Sequence, residues 1–267
     1  MNTGDISNLF RLLGLTNIVD QMRFDYQKWN NRHRNAHFIK MNKNLVLPND
    51  WLMYESFKLD YSKYYLNGRD TAHWLVSHFS RYVEPKGLKI LDWGCGPGRI
   101  IRHLPSILDE SSEFFGTDLN TKAISWCLSN LPGIRFYKNT LEAHLPFPDD
   151  FFDVVYGISI FTHLSEQSHF TWFGELCRII KSTGILMITT QGENFKAKLT
   201  SGEIAAFNNG QLVVRGKVKE GHRTYSAFHP KEFMFNLFKD AHILMHDVRK
   251  PTKENLLPQD LWIVRKV

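Results

Sequence analysis

The segment Ile90-Leu91-Asp92-Trp93-Gly94-Cys95-Gly96-Pro97-Gly98-Arg99 limits what this chain can fold into more than any other stretch. Three glycines at alternate positions after a short apolar run let the backbone turn sharply and approach a ligand where a side chain would clash. A helix that starts after such a turn points free amides at the same place. The spacing departs from the dinucleotide pattern Gly-x-Gly-x-x-Gly, because the last glycine comes one residue early. The strand also ends on Asp92, whose charge repels a pyrophosphate. A zwitterionic amino-acid ligand suits the place better, with its ammonium near the acid and its carboxylate near the amides. Phe114-Phe115-Gly116-Thr117-Asp118 follows, its acid 20 residues after Gly98. A carboxylate at the end of a second strand can accept both hydroxyls of a ribose. The turn, Asp92 and Asp118 together predict a nucleoside cofactor site.

The surrounding texture supports that prediction. From Leu88 onward, short apolar runs alternate with helical stretches, the pattern of βαβ units around a parallel sheet. Strands are predicted at Lys89–Leu91, Glu113–Thr117, Ile134–Lys138, Phe152–Ile158 and Gly184–Thr190, with helices near 98–108, 121–130 and 167–181. A helix follows Pro230, and His242–Arg249 and Leu261–Lys266 read as two final strands. Residues 192–226 break the rhythm as an inserted loop or small hairpin. Before the core, Ile6, Leu9, Phe10 and Leu13 recur at helical spacing up to Gly14, and Ile18, Met22, Tyr26 and Trp29 resume it. Residues 31–43 are basic without clear periodicity. Helices are expected again from Asp50 and over residues 70–83. Residues 1–85 thus read as a helical cap and 86–267 as the core.

Charge separates the same regions. Residues 1–91 carry 13 basic and 8 acidic groups, residues 92–192 carry 7 and 11, and residues 193–267 carry 13 and 8. The formal +6 therefore belongs to the flanks, while the middle is acidic. An acidic core suits a cationic ligand, and basic flanks suit an acceptor of carboxylate, phosphate or acidic-sugar character. Cys95, Cys127 and Cys177 are too few and too scattered for a disulfide framework or a zinc site, so no metal is expected. The longest stretches without a charged residue, such as Val154 to Ser165, have 12 residues, short of a membrane span. No signal peptide is visible. A cytoplasmic protein with no membrane partner is the expectation.

With these motifs in place, the chain resembles a class I S-adenosylmethionine-dependent methyltransferase from about Leu88 onward. Leu145-Pro146-Phe147-Pro148-Asp149-Asp150-Phe151-Phe152-Asp153-Val154-Val155 is similar to that family's fourth-strand motif. Ser159-Ile160-Phe161-Thr162-His163-Leu164 is similar to a signature of one bacterial branch, and Gln259-Asp260-Leu261-Trp262-Ile263-Val264 to its last strand. Arg178-Ile179-Ile180-Lys181-Ser182-Thr183-Gly184 stands where that branch has a Pro-Gly-Gly turn, and Gly184 is expected to supply its positive φ. The resemblance implies a Rossmann-like, doubly wound, mostly parallel seven-stranded α/β sheet, with the helical cap at the N-terminus and the insertion after the fifth strand. It implies S-adenosyl-L-methionine as cofactor. Gly94, Cys95, Gly96 and Gly98 would line its methionine portion, with Asp92 near the ammonium, Asp118 on the ribose and Leu119 over the adenine. Asn139 and Thr140 stand where the family often has an acid that reads the adenine amino group, and Glu142 comes slightly later. Ser159 is a further cofactor candidate. Tyr64, Gly68 and Arg69 resemble the segment that closes over the cofactor, although Tyr61, Tyr64 and Tyr65 also read as plain helix packing.

For the chemistry, His163 and His229 are the candidate proton acceptors, with His222 and Tyr225 in the same insertion as His229's approach. A small or medium-sized acceptor is expected, with O-methylation favoured over N-methylation. Nucleic acid is disfavoured. The Asp/Asn-Pro-Pro-aromatic motif of base amino methylation is missing, and Cys127 and Cys177 fall within predicted helices while Cys95 sits in the turn. Two other classes stay open: a cofactor-binding protein without catalysis, and an NAD(P)-dependent oxidoreductase on the same fold.

Overall fold

The computed structural model describes residues 13–252 and 257–267. The helix expected around Ile6, Leu9 and Phe10 lies outside them. Seven strands form one mostly parallel sheet, in the order Ile134–Lys138, Glu113–Asp118, Lys89–Trp93, Phe152–Gly157, Ile180–Thr190, Asp260–Lys266 and Ala241–Asp247. By contacts along the chain, Leu15–Lys138 is one compact unit and Asn139–Val267 falls in a second. The N-terminal helices therefore group with the first three strands.

In the first unit, α1 (Thr16–Met41), α2 (Asp50–Ser56) and α3 (Tyr61–Phe79) precede β1 (Lys89–Trp93). β2 (Glu113–Asp118), α4 (Thr121–Asn130) and β3 (Ile134–Lys138) complete it. β1 to β3 run parallel, and the register sets Asp92 opposite Gly116 and Trp93 opposite Thr117. β1 and β2 are buried nearly throughout, with Ile90, Leu91, Phe114 and Phe115 at their centres, as parallel strands covered on both faces must be. Asp60 and Asn120 cap α3 and α4 by accepting backbone amides. The helix expected over 98–108 is instead a turn followed by a 3-10 helix, Ile101–Ser106, with Pro105 inside it. Proline cannot donate the amide that an α-helix needs there.

α1 departs furthest from expectation. It is one helix through the basic stretch, and Ile18, Met22, Tyr26 and Trp29 point outward, while Asp20, Asn31 and Asn35 are buried. Each buried polar group has a partner. The Tyr54 hydroxyl donates to Asp20 (2.8 Å), Asn31 Nδ2 donates to Leu59 O (2.7 Å), and Tyr61 N donates to Asn35 Oδ1 (3.0 Å).

The second unit holds β4 (Phe152–Gly157), α5 (Glu166–Ile179) and β5 (Ile180–Thr190), with β4 and β5 parallel. α5 buries Trp172, Phe173, Leu176 and Ile179 at helical spacing, together with the polar His169 and Glu175. Gly184 does not turn the chain. It lies within β5, has no positive φ, and would press a Cβ to 2.8 Å from Asp153 O. The insertion builds its own small core. It contains a 3-10 helix (Glu193–Lys198), α6 (Ser201–Asn208) and the antiparallel pair β6 (Val213–Arg215) and β7 (Ser226–Phe228). Phe195, Leu199, Phe207, Val213 and Phe228 pack together there. Buried Arg215 grips Glu203 with two hydrogen bonds, at 2.8 and 2.6 Å. α7 (Lys231–Leu237) leads to β8 (Ala241–Asp247) and β9 (Asp260–Lys266), and β9 runs antiparallel to both β5 and β8.

Candidate active site

The glycine turn lies across the end of β2. Gly94 and Cys95 donate their amides to Thr117 O at 2.8 and 2.9 Å. Gly94, Gly96 and Gly98 have φ of 79°, 52° and 68°, a region that costs a Cβ-bearing residue about 1–2 kcal/mol each. The Asp118 carboxylate closes the turn: it accepts Gly96 N at 2.8 Å and Asn120 N at 2.7 Å. Burial pushes the Asp118 carboxyl above its ordinary value, and these two amides pull the other way. Asp92 is buried at the end of β1. Burial, then a hydrogen bond with Cys127 and the nearby Asp92 and Asp118, push the Cys95 thiol well up, so it stays protonated and unreactive.

The end of α2 also borders this turn. Asn120 Nδ2 donates to Glu55 Oε2 at 3.1 Å, and a Cβ on Gly96 would meet Ser56 Cβ at 3.4 Å. Nothing in the local pattern of residues 50–57 signals this, because both contacts join segments far apart in sequence. Tyr64 is fully buried among Met53, Tyr54 and Leu59, and its hydroxyl donates to Pro97 O at 3.5 Å. Tyr61 donates to Asp50 at 2.6 Å, and Tyr65 lies edge-on to His103. All three rings are thus packed. Arg69 is exposed on α3 beside Asp70 (3.8 Å), and Leu119 is partly exposed.

The second unit carries the other candidates. Asn139 is buried; its Nδ2 donates to Thr140 O, and its Oδ1 has no partner among the described residues. Thr140 is exposed and accepts Glu142 N at 3.2 Å. Ser159 has φ 68° and is held from three sides. Its amide donates to Thr189 Oγ1 (2.8 Å), its Oγ accepts Gln259 Nε2 (2.6 Å), and its carbonyl accepts Thr162 Oγ1 (2.5 Å). Thr189 and Gln259, also bonded to each other, were not anticipated as supports of this turn.

His163 follows Ser159 by one turn. Its Nδ1 must donate to Tyr225 O (2.8 Å), since a carbonyl only accepts. In neutral form its Nε2 then carries the lone pair. Burial lowers the His163 pKa, opposed by the Tyr225 carbonyl and reinforced by Arg223 and His222. The insertion also clamps this loop through Gly221 N on His163 O (2.9 Å) and Glu220 on Ser165 N (2.7 Å). His229 is buried and shares its Nε2 with His169 Nε2 at 2.9 Å. His169 Nδ1 donates to Ser165 O (2.7 Å), so its Nε2 accepts and His229 Nε2 donates. Burial lowers both, His169 to about 4. Among the described residues, no group of three or more His, Cys, Asp or Glu is arranged to hold a metal ion.

Residues 90–184 match the family model of a methyltransferase domain. Over residues 90–184 the chain carries a methyltransferase domain, and its seven-stranded fold is that of class I S-adenosylmethionine-dependent methyltransferases. S-adenosylmethionine is the cofactor of that family. The ubiquinone/menaquinone biosynthesis C-methyltransferase of Neisseria meningitidis is 30% identical over 140 residues, covering 50% of this chain and 54% of that protein. The ubiquinone biosynthesis O-methyltransferase of Rickettsia bellii is 25% identical over 187 residues, covering 69% and 72%. The chain thus spans about half the length of the first of these relatives. A Methanosarcina mazei S-adenosylmethionine-dependent methyltransferase structure superposes with a TM-score of 0.54 at 20% identity, over 71% of this chain and 97% of that one. That likeness is one of fold.

Proposed function

We propose that this methyltransferase moves a methyl group from S-adenosylmethionine to a hydroxyl oxygen of a small or medium-sized anionic acceptor, with His163 taking the proton. The residues present fit the cofactor. The left-handed turn keeps Gly94, Gly96 and Gly98 clear of side chains, and Asp92 and Asp118 supply acids for an ammonium and a ribose. Asn139 Oδ1, buried and unpartnered among the described residues, is an acceptor suited to the adenine amino group. On this reading Gly94, Cys95, Gly96 and Gly98 hold the methionine part, Leu119 covers the adenine, Thr140 and Ser159 are further contacts, and Tyr64 acts indirectly by bracing Pro97. Bound S-adenosylmethionine supplies an electrophilic methyl carbon, so the protein must orient the acceptor and receive its proton.

The observation that carries the reading is the fixed tautomer of His163. Tyr225 O holds Nδ1–H, leaving Nε2 as the proton acceptor in a ring that burial keeps neutral. A hydroxyl must lose its proton on methylation, and one relative is named for O-methylation. The segment that clamps His163 carries Lys217, Lys219 and Arg223, which supports an anionic acceptor. His229, engaged with His169, is a positioning residue for the same loop.

The test uses the purified chain, methyl-labelled S-adenosylmethionine and a fractionated small-molecule extract. Label is expected on an anionic compound, with uptake falling as salt rises. His163→Gln is expected to lose turnover about a hundredfold or more with cofactor affinity unchanged. Undiminished turnover removes His163 as base. Tight cofactor binding with no label in any fraction overturns the enzyme reading, and salt-insensitive uptake overturns the anionic acceptor.

A further inference from the structure

Helix α1 leaves a large apolar stripe facing solvent while it buries polar side chains on its inner side. Its inward face holds the buried Asp20, Asn31 and Asn35, together with half-buried Phe24 and Phe38, which pack on Trp51, Tyr54 and Tyr65. Roughly half a turn away, at about 100° per residue, Ile18, Met22, Tyr26 and Trp29 form a stripe that is 58%, 66%, 62% and 62% exposed. Farther along the same outward surface stand Arg32, His33 and Lys40, also exposed. Arg32 lies over the Trp29 ring, 4.8 Å from its centroid, and donates to Trp29 O. The exposed acid on α1 is Asp25, while Asp20 is enclosed by Tyr54. Arg23, Arg32 and Lys40 outweigh it, and Lys28 and Arg34 are balanced by Asp50 and Asp60.

We propose that this outward face of α1 docks on an anionic lipid surface, with the helix lying in the headgroup plane. An apolar stripe bearing Trp and Tyr and flanked by cations is the composition that lies in such an interface, and Arg stacked on Trp keeps its charge toward the headgroups. Anionic headgroups complement the surplus of Arg and Lys. A second copy of the chain is the poorer occupant. Four side chains offer on the order of 500 Å², within the roughly 300–600 Å² of the largest and often functional patch on a monomer but below the roughly 800 Å² per partner of a stable interface. Pairing two such faces would also bring cations together. Among the described residues no helix is long and apolar enough to cross a membrane, so contact here is with the surface.

The experiment is co-sedimentation of the full chain with vesicles of phosphatidylcholine, alone or mixed with phosphatidylglycerol. The chain is expected to pellet with the mixed vesicles, less at high salt, and not with phosphatidylcholine alone. The double variant Met22→Ser, Trp29→Ser is expected to lose at least tenfold in partitioning. Both positions are solvent-facing, so its thermal unfolding should match the wild type, which separates lost docking from lost folding. Arg32→Gln with Lys40→Gln should weaken binding to the mixed vesicles. Equal pelleting of wild type and the Met22, Trp29 variant overturns the proposal, as does failure of the wild type to pellet with the mixed vesicles. A dimer in analytical ultracentrifugation that Trp29→Ser dissociates overturns it in favour of a second copy.

Discussion

Gly68→Ala is a substitution for which two well-understood effects have opposite signs. Gly68 sits in the interior of α3, where alanine is normally better by about 1 kcal/mol. Here, however, a Cβ would overlap the carbonyl oxygen of Arg99, with Arg99 Cγ at 3.2 Å and its carbonyl carbon at 3.3 Å. Relief cannot come from a side-chain rotation, because the obstacle is backbone. α3 must retreat on the order of 1 Å against the Tyr64–Pro97 contact one turn earlier and the Asn67–Arg99 hydrogen bond beside it. Overpacking of this kind costs about 1–3 kcal/mol, and an unyielding carbonyl places this case at the upper end. The expected net result is a loss of about 2 kcal/mol, or roughly 4–8 °C in Tm for a chain of this size. Because Arg99 directly follows Gly98, cofactor affinity should also fall, by about tenfold. Gly174 in α5 is the internal control, since a Cβ there meets nothing within 4 Å. Gly174→Ala should raise stability by about 1 kcal/mol. Thermal unfolding and calorimetric titration with S-adenosylhomocysteine read both quantities. If Gly68→Ala proves more stable than wild type with unchanged affinity, the close approach of α3 to the turn is wrong.

Three further outcomes follow from the site geometry. Asp118→Ala strips the acceptor from two amides and is expected to weaken cofactor binding at least tenfold by calorimetry, with Asp118→Asn, which keeps one acceptor oxygen, losing less. Because burial disfavours the protonated form of His163, the acid limb of its pH–rate profile should lie below the usual 6.5; a limb at 6.5 would mean the ring is solvated during turnover. His169 is held to about 4 by burial, so the folded chain binds fewer protons than the unfolded one between pH 6.5 and 4. Stability should therefore be full above pH 6.5 and fall by about 3 kcal/mol as pH drops to 4, with a flatter dependence of the urea midpoint in His169→Gln.

The parts of this fold that were legible in the sequence are those whose cause is local. β1, the glycine turn and Asp118 follow from a buried parallel strand that must end where backbone can approach a ligand, and each requirement leaves a residue-level mark. α4 matches the helix expected near 121–130, and in the structure Asn120 caps it while Ala123, Ile124 and Cys127 form its buried stripe. The site's second layer left no such mark. Glu55 reaches Asn120, Gln259 reaches Ser159 and Tyr225 O fixes the His163 tautomer, across 65, 100 and 62 residues. Such bonds obey geometry, not periodicity.

α1 sharpens the point, because there the periodicity was real and its usual interpretation failed. An apolar stripe at helical spacing identifies a helix, but it assigns the inward face only if the opposite face cannot be buried. Burying an unpaired Asn or Asp side chain costs about 1–3 kcal/mol, whereas a satisfied one returns about 1 kcal/mol. Leu59 O, Tyr61 N and the Tyr54 hydroxyl satisfy the inward polar face of α1 at distances of 24 to 34 residues along the chain. Once those partners exist, the polar face can go inside without penalty, and the apolar one is left to water or to something else. Four large apolar side chains forgo about 1.5–3 kcal/mol each if they stay in water. A chain that finds inward partners for Asp20, Asn31 and Asn35 while leaving Trp29 outside has an energetic deficit on that surface, and a lipid surface is one way of removing it.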